Sequence, residues 1–290
     1  MLSAYLIHLL ILIEIYLILA ISLQLVIGFT GLLNLGHIAF YCIGAYISAL
    51  LSLVGLPFWF CFLSAGIGAM LFGFLLAIST NKVKGEYLAL VTLGFSFVIY
   101  AFALNWISLT GGPLGLSGIP RPNLFGFTFS DNLSFFILTS IITLISYFII
   151  KRIIKSPFGK VLEAIRDDEL AVRVLGKNTF KMKSYALGIS AFFAGIAGSL
   201  YAHYITFIDP SSFTLLQLIP ILSIVIIGGL ASLKGTIIAT IILVLLPEPL
   251  RFIGFPSSIV GPIRQIIYAL ILLLILIYKP KGFYGKVEFE

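Results

Sequence analysis

The chain has 290 residues, of which 60% are hydrophobic and only 10% charged, whereas about a quarter of the residues in a water-soluble domain carry charge. With 26 Phe and 13 Tyr against 11 Asp and Glu, too little polar surface remains for a soluble globule, so the chain reads as a membrane protein. Disordered, collagen-like and nucleic-acid-binding readings go too, because a net charge of +7 matters to nucleic acid only as a water-facing patch.

Met1 to Ala20 carries no basic residue ahead of an apolar run that continues to Ile27, so the N-terminus reads as a first span and not a cleaved leader. A helix needs ~20 apolar residues to cross the hydrocarbon core, and segments at about 5–27, 32–54, 57–80, 87–108, 133–150, 184–205, 213–231, 235–253 and 262–279 meet or approach this. Lipid admits only helices and closed barrels, and these runs lack the alternation of barrel strands. The expectation is an all-α polytopic membrane protein of about nine transmembrane helices, one transmembrane unit over residues 1–290. Gly28, Gly31, Gly36 and Gly44 mark the place where a helix is most readily unwound, as in broken transporter helices that line a cavity. Cys42 and Cys61, the only cysteines, lie in apolar runs and read as packing residues.

Two connections are longer than bundled helices require. The first, 109–132, holds Gly111, Gly112, Pro113, Gly115, Gly118, Pro120 and Pro122, which predict ordered turns, either as a linker or as a docking surface for an external partner. The second, 151–183, carries nine of the 18 basic residues and four of the 11 acids. Ser156 and Pro157 predict a helix start and Gly176 its end. Between them Val161, Ala164, Ile165, Ala171, Val172 and Leu175 recur at helical spacing, so one amphipathic helix of about five turns is expected. Three readings are open for it. A helix lying on anionic lipid is opposed by Glu163, Asp167, Asp168 and Glu169. The others are a solvated connector and a peg docking into a soluble partner, with apolar anchors and charges that fix register.

If 151–183 is cytoplasmic, counting spans outward places fifteen basic residues inside and only Arg121, Arg251 and Arg264 outside. That asymmetry predicts an N-out, C-in chain. The sequence offers little chemistry of its own. Gly159, Gly176 and Gly285 precede Lys but are followed by Val, Asn and Val, so no phosphate-binding loop is present to hydrolyse a nucleotide. His8, His37 and His203 lie on three different spans, and no metal or nucleophile constellation is readable. The chain is therefore expected to be a transport protein without a catalytic site, cofactor or metal. A stand-alone secondary transporter is a second hypothesis, but it needs ionisable residues deep in spans, and only Glu14 and the histidines qualify.

Gly31-Leu-Leu-Asn-Leu-Gly-His37-Ile-Ala-Phe40 with Gly44-Ala-Tyr46 resembles a signature of permease subunits of branched-chain amino acid ABC importers. Gly85-Glu-Tyr-Leu-Ala-Leu-Val-Thr-Leu-Gly94, Asn105-Trp106, Thr110-Gly-Gly-Pro113 with Gly115-Leu-Ser-Gly-Ile-Pro120, and Glu163-Ala-Ile-Arg-Asp-Asp-Glu169 match in order, and the last two resemble the M-type (LivM-type) subunit. The likeness extends from about residue 25 to about 255, through Gly195-Ile-Ala-Gly198 and Gly228-Gly-Leu-Ala-Ser-Leu-Lys-Gly235. It implies a homologous H-type permease partner, two cytoplasmic ATPases that use ATP and Mg, an extracytoplasmic solute-binding protein, and a bacterial or archaeal plasma membrane. It also implies an ATPase-coupling role for Glu163, Ala164, Arg166, Asp167, Asp168, Glu169 and Gly176. Asn34, His37, Thr92, Asn105 and Gln217 are the polar candidates for a translocation path, each with helix-to-helix hydrogen bonding as its plainer reading. Thr110, Gly111, Gly112 and Arg121, with the 206–212 turn, are candidates for docking the binding protein. One stretch departs from the family pattern: Phe97 and Tyr100 stand where members often carry an acid and a base, which leaves urea or short amides open as alternative substrates.

Overall fold

The computed structural model describes residues 2–80, 83, 85–124, 127–129, 131–249, 257–279 and 281–285. Lys82, Lys84, Arg251 and Lys286 of the charge count lie outside these residues. The helices are α1 (Leu2–Thr30), α2 (His37–Leu53), α3 (Phe58–Ser79), α4 (Glu86–Asn105), α5 (Ile107–Thr110), α6 (Asn132–Lys155), α7 (Pro157–Asp167), α8 (Glu169–Val174), α9 (Thr179–Ile205), α10 (Leu215–Gly228), α11 (Leu233–Leu245) and α12 (Ser257–Tyr278). Six helical stretches are long and apolar enough to cross a membrane, namely α1, α3, α4, α6, α9 and Pro210–Gly228. The remaining apolar helices, α2, α11 and the Gly261–Ile275 part of α12, are shorter.

Each predicted apolar segment coincides with a helix, but several limits move for local reasons. Helix α2 starts only at His37, because the chain leaves α1 through Gly31 at φ +70° and stays irregular to Gly36. Helix α11 ends at Leu245, well short of 253, because Pro247 and Pro249 follow and neither has an amide hydrogen to continue the helical bonding. The long amphipathic helix is two helices: Asp168 adopts extended backbone (φ −154°, ψ 99°) and divides α7 from α8.

Helix α9 is the axis of the bundle, packed against both α2 and α3, and its contact faces are built from small residues. A Cβ on Gly195 would stand 2.6 Å from the Ala65 carbonyl oxygen, and one on Gly198 2.2 Å from that of Tyr41. Small residues of this kind let backbones approach where lipid gives no hydrophobic drive to associate. Helix α1 is also interior, and its polar side chains have distant partners. Glu14 accepts from Thr139 and Ser140 of α6, the Gln24 amide donates to the Gly229 carbonyl at 2.8 Å, and His8 Nδ1 meets the Tyr204 hydroxyl at 2.6 Å. The C-terminal tail closes the end of α10: the Phe283 and Tyr284 amides donate to the Ile227 and Gly228 carbonyls at 2.8 and 3.2 Å. Helix α4 is peripheral, with Phe97 53% exposed.

Gly195→Leu should prevent a monodisperse, folded protein in detergent, since overpacking alone costs about 1–3 kcal/mol and here the neighbour is backbone. Gly94→Leu, where an added Cβ meets nothing within 4 Å, should elute and melt as wild type. Size-exclusion chromatography and thermal melts of the two variants provide the comparison.

Candidate functional site

The segment 156–179 is built by caps and ion pairs. Ser156 Oγ accepts from the Gly159 amide at 3.4 Å and donates to the Ile153 carbonyl at 2.6 Å, turning the chain from α6 into α7. A Cβ at position 159 would lie 2.1 Å from the Ile154 carbonyl oxygen, so only glycine permits so sharp a turn. One face of α7 is buried in the chain's own bundle: Leu162, fully buried, packs with Leu25 of α1 and Ala186 of α9, flanked by Ile153, Phe158 and Met182. Ile165 is buried as well. Arg166 then tethers α7 to the end of α1. Its Nη1 donates to the Gly28 carbonyl at 2.9 Å, one of the last-turn carbonyls that a helix leaves without a donor, while Nε and Nη2 hold Asp167 Oδ1 at 2.9 and 2.8 Å.

Helix α8 is fixed by its own acids. Asp168 Oδ1 accepts from the Leu170 and Ala171 amides at 2.9 and 3.0 Å, capping the new helix. Glu169 Oε1 accepts from Arg173 (2.5 Å) and Thr179 (2.9 Å), and Oε2 from Lys183 (2.6 Å), binding α8 to α9. Gly176, at φ +76°, ends the unit. The predicted apolar stripe is therefore divided: Ile165 and Val172 are buried in the bundle, whereas Ala164, Ala171 and Leu175 are exposed. Leu170 (67%), Val174 (87%) and Leu175 (78%) form an apolar outer surface on α8, next to exposed Asp167 and Asp168.

The five polar path candidates fall in different places. Asn34 and Thr92 line one crevice with Leu32, Thr80, Glu169 and Lys183, so the irregular 31–36 segment and the α8 network share a cavity. There Thr92 Oγ1 accepts from the Leu35 amide at 3.0 Å, and Ser96 Oγ donates to the Leu35 carbonyl at 3.0 Å, supplying the backbone groups that the broken helix exposes. His37 is buried beside α1, its Nε2 3.0 Å from Ser22 Oγ and 3.1 Å from the Leu19 carbonyl. Gln217 lines a second crevice at the other end of α1. Asn105 is exposed, and its amide donates back to the Ala101 carbonyl at 2.8 Å.

Among the described residues of 109–132, the predicted turns form a folded cap joined to the 206–212 turn. Strand β1 (Leu116–Ser117) pairs antiparallel with β4 (Phe207–Ile208), and β2 (Asn123–Leu124) with β3 (Phe127–Thr128). His203 Nδ1 lies 2.7 Å from the Pro120 carbonyl oxygen. Thr110 is buried and donates to the Ala103 and Trp106 carbonyls, both at 2.7 Å, while Gly111 and Gly112 take φ of +73° and +55°. These three shape the cap from within. Arg121 reaches Asn132 Oδ1 at 3.2 Å, and exposed Leu114 and Trp106 form part of the outer surface.

The family profile described as "Branched-chain amino acid transport system / permease component" matches residues 5–277. The chain belongs to this permease family. It is 38% identical to the high-affinity branched-chain amino acid transport system permease protein LivM of Escherichia coli, over 92% of this chain and 67% of that protein, and equally to its Salmonella typhimurium counterpart. It is 26% identical to the probable LivM of Methanocaldococcus jannaschii, over 75% of this chain and 65% of the relative. The guanosine ABC transporter permease protein NupQ of Bacillus subtilis is 26% identical over 60% of this chain and 59% of its own length. The chain thus spans about two thirds of the length of the LivM proteins it matches. No solved structure gives a significant match.

Several residues that build this segment escape sequence reasoning. Leu170 and Val174 lie off the apolar stripe of a single helix and become an outer surface only because Asp168 restarts the helix. A second Asp directly ahead of Glu-Leu-Ala is itself a cap signal that marks the division. Lys183 and Thr179 gain their role only in three dimensions. Burial pushes the Glu169 carboxyl up, but hydrogen bonds from Lys183, Thr179 and Arg173 outweigh it and hold the group at about 2, below its ordinary 4.5. The stabilisation is full above about 4.5 and is lost as pH falls from there through about 2. Glu169→Gln should lower the melting temperature at pH 7 and give a shallower loss of stability between pH 5 and 3, read from thermal melts across that range.

Proposed function

We propose that the chain is the M-type permease subunit of an ATP-driven importer for branched-chain amino acids, working by alternating access in a bacterial or archaeal plasma membrane. The observation that carries this reading is the 38% identity to LivM proteins across 92% of the chain. In the proposal nine helices span the membrane, N-out and C-in. An H-type permease completes the pathway, two cytoplasmic ATPases use ATP and Mg, and a solute-binding protein delivers substrate to the cap of 109–132 and 206–212. Membrane lipid surrounds the apolar outer helices, and Lys151, Arg152 and Lys155 at the end of α6 suit the anionic cytoplasmic leaflet.

The ATPase contact is the outer surface of α7–α8. Leu170, Val174 and Leu175 are its apolar anchors, and Glu163, Ala164, Asp167 and Asp168 its edge. The buried face of α7 and the Arg166 tether then make α7 a rigid extension of α1 and α6. Displacement of the ATPases is transmitted to the end of α1 and, through Glu169 and Lys183, to the crevice that holds Asn34 and Thr92. Phe97 lies on the outward side of α4 and lines neither crevice, so its departure from the family pattern gives no support to urea or amides.

Proteoliposomes containing the full set of subunits should accumulate labelled leucine only with the ATPases, ATP and Mg present. Uptake without ATPases would defeat the reading in favour of a secondary transporter. Leu170→Asp, Val174→Asp and Glu163→Lys should leave the permease folded yet reduce ATP-driven uptake at least tenfold, while unaltered uptake in all three would refute the assigned contact.

A further inference from the structure

At the end of α1 away from Arg166, four helices enclose a crevice of ≈ 280 Å³, at the small end of the ~300–1,000 Å³ usual for small-molecule sites. Its polar lining is unusual for a membrane bundle. Glu248, just beyond α11, faces Arg264 of α12, with Gln217, Gln265 and Tyr268 around them. The Glu248 and Arg264 side chains are only 12% and 31% exposed. Glu248 also accepts from Tyr5, and the Tyr268 hydroxyl donates to the Leu243 carbonyl at 3.2 Å. Buried ionisable residues in a membrane bundle are costly and rare, and where they occur they mark a ligand path or pair with each other.

This pair is loosely closed. Arg264 Nη2 lies 3.4 Å from Glu248 Oε1, longer than the ~2.7–2.9 Å of a charge-assisted hydrogen bond. Arg264 Nε is buried and has no hydrogen-bond partner among the described residues. A guanidinium fork only partly used is a poor stabiliser, because desolvating both charges costs about as much as the pair returns, but it is well arranged to take a carboxylate from a ligand. Pro220 adds to the polar lining by withdrawing the helical donor that the Leu216 carbonyl would otherwise receive, and both residues line the crevice. The opposite wall is aliphatic: Leu9 and Leu12 of α1, Ile224 of α10 and Leu243 of α11.

We propose that this crevice is the permease's own binding subsite for a free zwitterionic amino acid. Arg264 takes the α-carboxylate, Glu248 the α-ammonium, and the aliphatic wall the side chain. The resting ion pair stands in for the ligand: on binding, the long Glu–Arg contact gives way to Arg–carboxylate and ammonium–Glu contacts. The placement follows from the orientation already argued, since Arg166 and the basic segment mark the cytoplasmic end of α1 and the crevice occupies the outer half. The ligand class rests on the proposed amino-acid transport, whereas the acid–base geometry does not.

The test uses the complete importer complex in nanodiscs without binding protein, titrated with tritiated leucine and challenged with leucinamide, which lacks the carboxylate, and 4-methylpentanoate, which lacks the amine. The wild type should bind leucine at least tenfold more tightly than either half-molecule. Glu248→Gln should weaken leucine and leucinamide at least tenfold and leave 4-methylpentanoate unchanged. Arg264→Gln should weaken leucine and 4-methylpentanoate and leave leucinamide unchanged. Arg264→Lys, which keeps the charge but loses the fork, serves if the glutamine variant fails to assemble, and should weaken only the two carboxylate ligands. No leucine binding to the wild type, or equal losses for all three ligands, overturns the proposal. ATP-driven leucine uptake by the wild type is measured in parallel. Its absence would count against the transport function, and its presence without direct binding would count against the crevice alone.

Discussion

A bilayer supplies no hydrogen bonds, so wherever this chain interrupts a helix some other part of it has to supply the missing donor or acceptor. The architecture follows from how this is done. The break at 31–36 is serviced from α4 by Thr92 and Ser96, and the open end of α1 by Arg166. The Gly229 carbonyl beyond α10 is taken by Gln24, and the last carbonyls of α10 by the amides of the C-terminal tail. Each repair crosses between helices distant in sequence, so the same bonds that remove a penalty also fix which helices are neighbours. The glycine faces of α9 then set how close those neighbours come.

The 156–179 segment shows how the division of labour on one short stretch produces a joint. Leu162 and Ile165 commit α7 to its own bundle, and Arg166 ties it to α1 through a directional bond rather than a sliding apolar contact. Helix α8 is held less by packing than by the Glu169 network, leaving its apolar side chains outward. The acids that oppose a lipid-bound helix therefore have specific duties: Asp168 caps, Glu169 bridges to α9, and Asp167 flanks Arg166.

Much of this was legible in the chain itself, and the reason differs from residue to residue. Apolar runs of membrane-spanning length locate the helices because lipid enforces them, and Ser156, Pro157 and Gly176 mark the limits of the α7–α8 segment because caps are local. Gly31 and Gly36 flagged the broken segment for the same reason. Periodicity failed at Asp168, since a helix that stops and restarts keeps its composition while rotating its faces. The path candidates were harder to read: Asn34 and Thr92 meet in one crevice, but Asn105 bonds within its own helix, and composition does not distinguish the two fates. The Glu248–Arg264 crevice was least visible, because its members come from four helices and Arg264 looked like a charge merely at the outer end of a span.

The interior position of α1 bears on biosynthesis. It is the first of the described helices to leave the ribosome, yet its polar groups are matched to residues 125, 196 and 205 positions later, at Thr139, Tyr204 and Gly229. Until α6, α9 and α10 have been inserted, Glu14, His8 and Gln24 have none of these partners. The nascent chain therefore carries these three polar groups without their native partners until the later helices are in place.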